Sequence, residues 1–369
     1  MTQTDSTVHN EKLNTNSEII DVYPIKKGKR ILVYLADMLL NFVLSVLLFT
    51  AAIFPIARSI SNYQADVDQA NRNHHLMMDV LYDNNLLEYK DEKDKYDFDT
   101  CFDYSAELFV KDLVKGEESH LYPLTYFVSI KGMDKTKAIE NIKKCDTSSF
   151  FAAEGFVLKD VYLEEFKPLI DEKDSLTNQG RDDLASFKTG SISSMYSYML
   201  NDILSEETAL PSYRNYSLEN KELSAKNDRV IVISAIITYL LSCSLYFLLL
   251  PLLNKKGSTF GMVALKCIRL DSKNFKIIPR WRRLAFFISH LLFNLPVILF
   301  IPMMFVAFTR LFSLSVLFYM SLFTLVLALA SGFVIGFNYF GKSLSDLLSH
   351  SILVDNETYD KILEARIRK

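Results

Sequence analysis

Two stretches of this chain place an arginine, an ionisable group and an asparagine at the same intervals. Arg30 is followed by Asp37 seven residues on and by Asn41 four beyond that; Arg283 is followed by His290 and then Asn294 in the same steps. On a helix seven residues rise about 10 Å over two turns, and four more add one turn, so each set makes a ladder on one face. If the two helices run in the same direction, Asp37 stands opposite His290 and Asn41 near Asn294, with Arg30 and Arg283 at one boundary. A carboxylate and an imidazole so placed form a candidate polar site for a proton or a monovalent cation. The same residues also have a structural use. The arginines can snorkel to lipid headgroups, and the histidine and asparagines can join helices at about 1 kcal/mol per contact. Both uses stand open at the level of sequence.

Both ladders lie in long apolar runs. Half of the 369 residues are hydrophobic, and four segments reach the roughly 20 residues that a bilayer-crossing helix needs. They cover 31–57, 230–253, 284–308 and 311–338, the last two separated by Thr309-Arg310. A cleaved signal peptide does not fit the first, because its polar lead is long and its apolar run exceeds a signal core. Lys and Arg cluster in 1–30, in the basic loop 254–283 and in the tail 339–369. By the positive-inside rule these three segments are cytoplasmic, so the expected protein is a multi-pass cell-membrane protein with both termini inside. The expected fold is mainly α: a four-helix transmembrane bundle with a large, mostly helical extracytoplasmic domain inserted between spans 1 and 2.

That inserted segment, 58–229, is too long for a structureless connection. It is acidic, with clusters such as Asp91-Glu92-Lys93-Asp94, and stretches such as 135–144 and 160–171 carry helical spacing. Cys101 and Cys145 fall within it, where a disulfide is chemically allowed; Cys243 and Cys267 read as small structural residues. The run Asp97, Asp99, Asp103 lacks the glycine and distal glutamate of a calcium loop and reads as a solvated acidic face. The neighbours His74 and His75 read as surface. No phosphate loop, dinucleotide fingerprint, zinc-protease helix or nucleophile elbow occurs, and no basic stripe carries interleaved aromatics. No catalytic residue, cofactor, metal or nucleic-acid partner is therefore expected, and the chain does not read as an enzyme.

Taken together, the spans and inner loops resemble the RDD family of membrane proteins. The resemblance rests on three segments: Arg30-Ile-Leu-Val-Tyr-Leu-Ala-Asp37; Gly257-Ser-Thr-Phe-Gly261-Met-Val-Ala-Leu-Lys266-Cys-Ile-Arg269-Leu-Asp271, followed by Arg280-Trp-Arg-Arg283; and Gly341-Lys-Ser-Leu-Ser-Asp346-Leu-Leu-Ser-His-Ser351-Ile-Leu-Val354. By that match Arg30, Asp37 and Asp346 are the arginine and two aspartates for which the family is named. The chain departs from the pattern at Gly257-Ser for Pro-Gly, at Ser345 for His and at His350-Ser351 for Gly-Thr. The resemblance does not extend to the inserted domain.

Two functional classes follow. One is a membrane anchor or partner protein acting through its extracytoplasmic domain on a protein partner. The other, implied by relatives that look like sodium/proton antiporters, is a secondary transporter or cation/proton exchanger using Asp37. Ala328, Gly332 and Gly336 make a small-residue stripe for close helix packing within the chain, and leave a homo-oligomer open.

Overall fold

The structure, a computed structural model, describes residues 11–15, 18–22, 25–117, 122–144, 151–152, 158–170, 177, 190–205, 210–312, 314–337 and 342–367. It is mainly helical and divides into two compact units, Met1–Gln64 with Ala225–Lys369, and Ala65–Ser224. The second unit lies inside the inserted segment expected at 58–229.

Strands β1 (Glu11–Thr15) and β2 (Glu18–Val22) pair antiparallel ahead of α1 (Lys27–Leu48). A π-helical turn at Phe49–Ile53 carries α1 into α2 (Phe54–Ile60). Then come α3 (Tyr63–Asp83), α4 (Phe98–Lys115), α5 (Tyr122–Thr125), α6 (Lys135–Lys144), α7 (Asp160–Phe166), α8 (Gly190–Ser205) and the long α9 (Pro211–Cys243). The rest of the first unit comprises α10 (Leu250–Leu253), α11 (Phe260–Ala264), β3 (Cys267–Asp271), α12 (Arg280–Phe293), α13 (Met304–Leu311), α14 (Leu314–Phe337), α15 (Leu344–Leu348), β4 (Ser351–Asp355) and α16 (Asn356–Ile367).

Among the described residues two continuous helices are long and apolar enough to cross a membrane, Lys27–Ile60 and Pro211–Leu253. The helix α14 is a further unbroken run of 24 residues without a charged side chain. Polarity in α1 is inverted relative to a soluble helix. Its buried positions are Arg30, Val33, Asp37, Asn41 and Ser45, while Ile31, Leu32, Leu35, Leu39, Val43 and Leu47 face outward. The first-unit part of α9 buries Ser234, Thr238 and Ser242 alongside Ile231, Val232, Ala235, Tyr239 and Cys243, and exposes Ile233, Ile236, Ile237 and Leu240. The two faces are stitched where Ser45 and Ser242 hydroxyls meet at 2.7 Å.

The third apolar segment is not the continuous helix expected over 284–308. α12 stops at Phe293, a 3₁₀ turn covers Leu295–Phe300, and Met303 takes a left-handed φ of 64° before α13 begins. Pro296 and Pro302 supply the reason, since each removes a backbone donor and crowds the preceding turn. The turn expected at Thr309-Arg310 also moves. Both residues sit inside α13, where the Thr309 hydroxyl donates back to the Val306 carbonyl, and the helix ends at Leu311.

The segments 254–283 and 339–369 hold strands that helical periodicity did not suggest. β3 and β4 pair antiparallel, with Ile268 opposite Val354 and Leu270 opposite Ile352. Those four side chains share one face and bury against Phe275, Tyr359 and Ile362, so α16 covers that side of the ribbon. Strand alternation sends Arg269 and Leu353, also opposite each other, to the other face. The Ile25 amide donates to the Leu353 carbonyl and ties the start of α1 to this ribbon.

In the second unit, α4 is capped at both ends. The Asp97 side chain accepts from the Thr100 amide, and Gly116 takes the left-handed φ of 68° that closes the C-terminus. Its buried face, with Phe109 and Leu113, packs into one core with Met78 and Leu81 of α3, Ile142 of α6 and Tyr196, Met199 and Ile203 of α8. His74 binds the Tyr96 carbonyl at 2.9 Å and His75 stacks on the Tyr96 ring, so this pair anchors a loop.

The disulfide allowed by sequence is not formed at Cys101, which is a buried free thiol donating to the Asp94 carbonyl and touching the Tyr82 hydroxyl. Burial pushes this thiol above its ordinary pKa. Cys145 lies outside the described residues. The melting temperature should accordingly be the same with and without reductant, as thermal scans of the purified protein would measure. A reductant-dependent drop would restore the bridge.

Candidate functional site

The three segments that carry the family resemblance converge in the first unit. α1 brings Arg30 and Asp37, α11 and β3 bring Gly261 and Arg269, and α15 brings Asp346. Two buried carboxylates organise the cluster, and each is held differently.

Asp346 is the ionic centre. Its carboxylate takes the Arg30 guanidinium at 2.8 Å and stands 3.4 Å from that of Arg269. It also closes a capping box with Ser343, accepting from the Ser343 amide at 3.1 Å while Ser343 Oγ accepts from the Asp346 amide. The Ser351 hydroxyl adds a donor at 3.2 Å. Burial alone would raise the carboxyl pKa, but the Arg30 and Arg269 charges together with the Ser343 hydrogen bonds outweigh it and hold Asp346 below the ordinary carboxylate range. The same accounting runs the other way at Arg269. Burial lowers its pKa to about 10 because Asp346, shared with Arg30, returns less than desolvation removes. The Arg269 guanidinium lies 3.6 Å from the centre of the Phe286 ring.

Asp37 is the neutral-donor centre. It accepts from Thr259 Oγ1 at 2.7 Å, from the Gly261 amide at 2.8 Å and from the Tyr246 hydroxyl at 2.9 Å. Thr259 is also the N-cap of α11, accepting from the Met262 amide. A carboxylate on α1 thus sits at the N-terminus of the short helix α11, where backbone donors favour an anion. Gly261 is required there: a Cβ would lie 2.5 Å from Asp37 Oδ1.

The two ladders do not pair rung for rung. No hydrogen bond among the described residues joins Asp37 to His290 or Asn41 to Asn294. His290 stacks on Phe247 at 4.5 Å and meets Phe286 edge-on at 4.1 Å. Asn294 turns back to the His290 carbonyl at 2.9 Å, and Asn41 reaches the Cys243 sulfur at 3.6 Å. Asp37, His290, Arg30 and Arg269 do line one cavity of about 200 Å³.

Neither boundary arginine snorkels, since both are buried. Arg283 donates to the carbonyls of Pro251 and Asn254 at the end of α10 and to that of Ile278. It satisfies orphan acceptors where a helix ends. Gly257 makes room for it, at φ 66° with a would-be Cβ 2.8 Å from Arg283 Cζ.

Sequence reasoning missed Thr259, Tyr246 and Arg269. A readable signal existed for Arg269: Cys-Ile-Arg-Leu-Asp and Ser-Ile-Leu-Val-Asp are short apolar runs with strand character. His350 stands at φ 49°, a left-handed conformation that favours glycine. Of the small-residue stripe, Gly336 offers its carbonyl to Lys27 at 2.8 Å, while the side-chain positions of Ala328 and Gly332 lie outside the described residues.

Comparison with known proteins returned no match to a family model, a curated protein or a solved structure.

Proposed function

We propose that this chain is a four-span integral membrane protein related to the RDD family. In this reading its membrane part is a fixed scaffold and its extracytoplasmic helical domain meets a protein partner. One observation carries the reading: α1 turns its polar residues to protein and its apolar residues outward, and locks its two buried charged groups, Arg30 and Asp37, onto partners elsewhere in the first unit. A soluble helix buries its apolar side instead, whereas charged groups within a bilayer face protein and pair there. The ends of the helices support the alternating topology. Lys29 pairs with Asp355 and Arg30 with Asp346 at one end, while the buried Asp228, before the second span, meets Arg310 at 3.7 Å after the third.

The scaffold reading is preferred over the exchanger because Asp37 already accepts three hydrogen bonds from fixed donors. An exchanging carboxylate must release its partners each cycle. The cavity shared by Asp37 and His290 is the observation that favours the exchanger.

Cysteine labelling on intact cells tests the topology. With the native cysteines replaced by serine, a membrane-impermeant maleimide should reach Lys93→Cys and leave Lys273→Cys and Asp360→Cys unlabelled until the membrane is permeabilised. Labelling of Lys273→Cys from outside would overturn the four-span arrangement.

A further inference from the structure

The segment that follows the second apolar span carries a short helix inverted in the way α1 is. α11 buries Gly261 and Met262 and turns Phe260, Val263 and Ala264 outward, with Phe260 and Val263 each 55 % exposed. A helix in water turns such side chains inward. Single exposed apolar residues are ordinary on any surface, so the level at which this turn stands decides what it faces.

Asp37 sets that level. The Gly261 amide donates to Asp37 Oδ1 at 2.8 Å, and a Cβ on Gly261 would lie 3.0 Å from the Val33 carbonyl, so α11 lies against α1 between Val33 and Asp37. The band of α1 whose apolar side chains face outward already begins at Ile31 and Leu32 and continues through Leu35 and Leu39 to Leu47. α11 therefore stands within that band. On its other flank the Phe260 ring lies 6.1 Å from that of Tyr246, which belongs to the second span and also donates to Asp37.

The chain on either side of α11 is basic. Lys255 and Lys256 precede it and Lys266 follows; all three are exposed, and no acidic residue occurs between Leu253 and Leu270. Gly257 at φ 66° and Lys266 at φ 54° turn the chain sharply before and after the helix. An apolar turn bracketed by lysines has the polarity profile of one bilayer leaflet, acyl chains within and phosphates at the rim.

We infer that α11 is a re-entrant segment whose outward face touches acyl chains in the leaflet on the Arg30 side, and that Lys255, Lys256 and Lys266 gather acidic phospholipids around it. The backbone can dip there because protein answers its polar groups: Asp37 takes the Gly261 amide and Thr259 Oγ1 takes the Met262 amide. The lysine ammoniums meet headgroup phosphates as point charges. This inference rests on the membrane reading above and adds to it a surface with a defined lipid class.

Fluorescence quenching by brominated lipids tests it on the full-length protein. Phe260→Trp, Val263→Trp and Leu39→Trp are each made in a Trp281→Phe background, which removes the single native tryptophan. The variants are reconstituted in vesicles of equal phosphatidylcholine and phosphatidylglycerol, with one lipid or the other brominated on its acyl chains. Leu39 faces outward from α1 and reports on the membrane reading alone. Both α11 reporters should be quenched as Leu39→Trp is, and at least about twofold more strongly by brominated phosphatidylglycerol than by brominated phosphatidylcholine. Replacing the three lysines with glutamine should remove that preference and leave the quenching. Quenching of Leu39→Trp with none of Phe260→Trp or Val263→Trp would overturn the inference and leave the membrane reading standing, with α11 facing water or a second copy. No quenching of any of the three would overturn both. Equal quenching of the α11 reporters by the two lipids, or a preference that survives the lysine replacements, would overturn the acidic-lipid assignment.

Discussion

Asp346→Ala is expected to be the most damaging single polar substitution in the chain, costing about 3–5 kcal/mol of stability. It removes the one carboxylate that Arg30 and Arg269 share, and it opens the capping box that starts α15. The readout is monodisperse yield after extraction in mild detergent, with melting temperature where yield allows. A triple variant, Arg30→Met, Arg269→Met and Asp346→Leu, should recover part of the loss, because an apolar replacement leaves no lone charge behind. If the triple variant were as poor as Asp346→Ala, the damage would lie in the lost cap and not in the lost ion pairs. The pH dependence has a definite sign. Asp346 is held below its ordinary pKa of 3.8 in the folded state. Its contribution is therefore fully present above that value and is lost as pH falls through the depressed one.

Asp37 should separate two substitutions that look alike on paper. Asp37→Ala strands the Thr259 hydroxyl, the Tyr246 hydroxyl and the Gly261 amide, each buried. At about 1–3 kcal/mol for each unanswered group, the loss should rival that at Asp346. Asp37→Asn keeps an oxygen acceptor for both the Gly261 amide and the Tyr246 hydroxyl, and the Thr259 hydroxyl can rotate to accept from the new amide. Its cost should stay near 1 kcal/mol, within the ordinary worth of a hydrogen bond. Folded yield compared across the two variants measures this. Equal losses would mean that the negative charge itself, and not the acceptor geometry, holds α11 against α1.

Much of this site was legible in sequence because its anchors break local rules. Arg30 and Asp37 interrupt an apolar run, so their cost singles them out, whereas Asp346 was reached only through the family resemblance. The mainly helical character was legible from periodicity. The partners were not. Tyr246 lies 209 residues from Asp37 and Thr259 lies 222 away, and no local spacing encodes such contacts. The rung-for-rung pairing of Asp37 with His290 failed for a geometric reason. Matched depth along two helices says nothing of the rotation of each about its axis, and α12 turns His290 into the rings of Phe247 and Phe286. The pairing of β3 with β4 was hidden because each strand is only five residues long and its partner lies about eighty residues away.

The central claim is that the carboxylates of the membrane part hold the structure together and do not carry ions. Ion flux in proteoliposomes tests it most directly. The purified protein would be reconstituted with a pH-sensitive dye inside, and sodium or potassium gradients imposed across the membrane. The account predicts dye responses equal to those of protein-free liposomes under every gradient. A cation-driven pH change that requires the protein, and that disappears in Asp37→Asn while folded yield is kept, would contradict it.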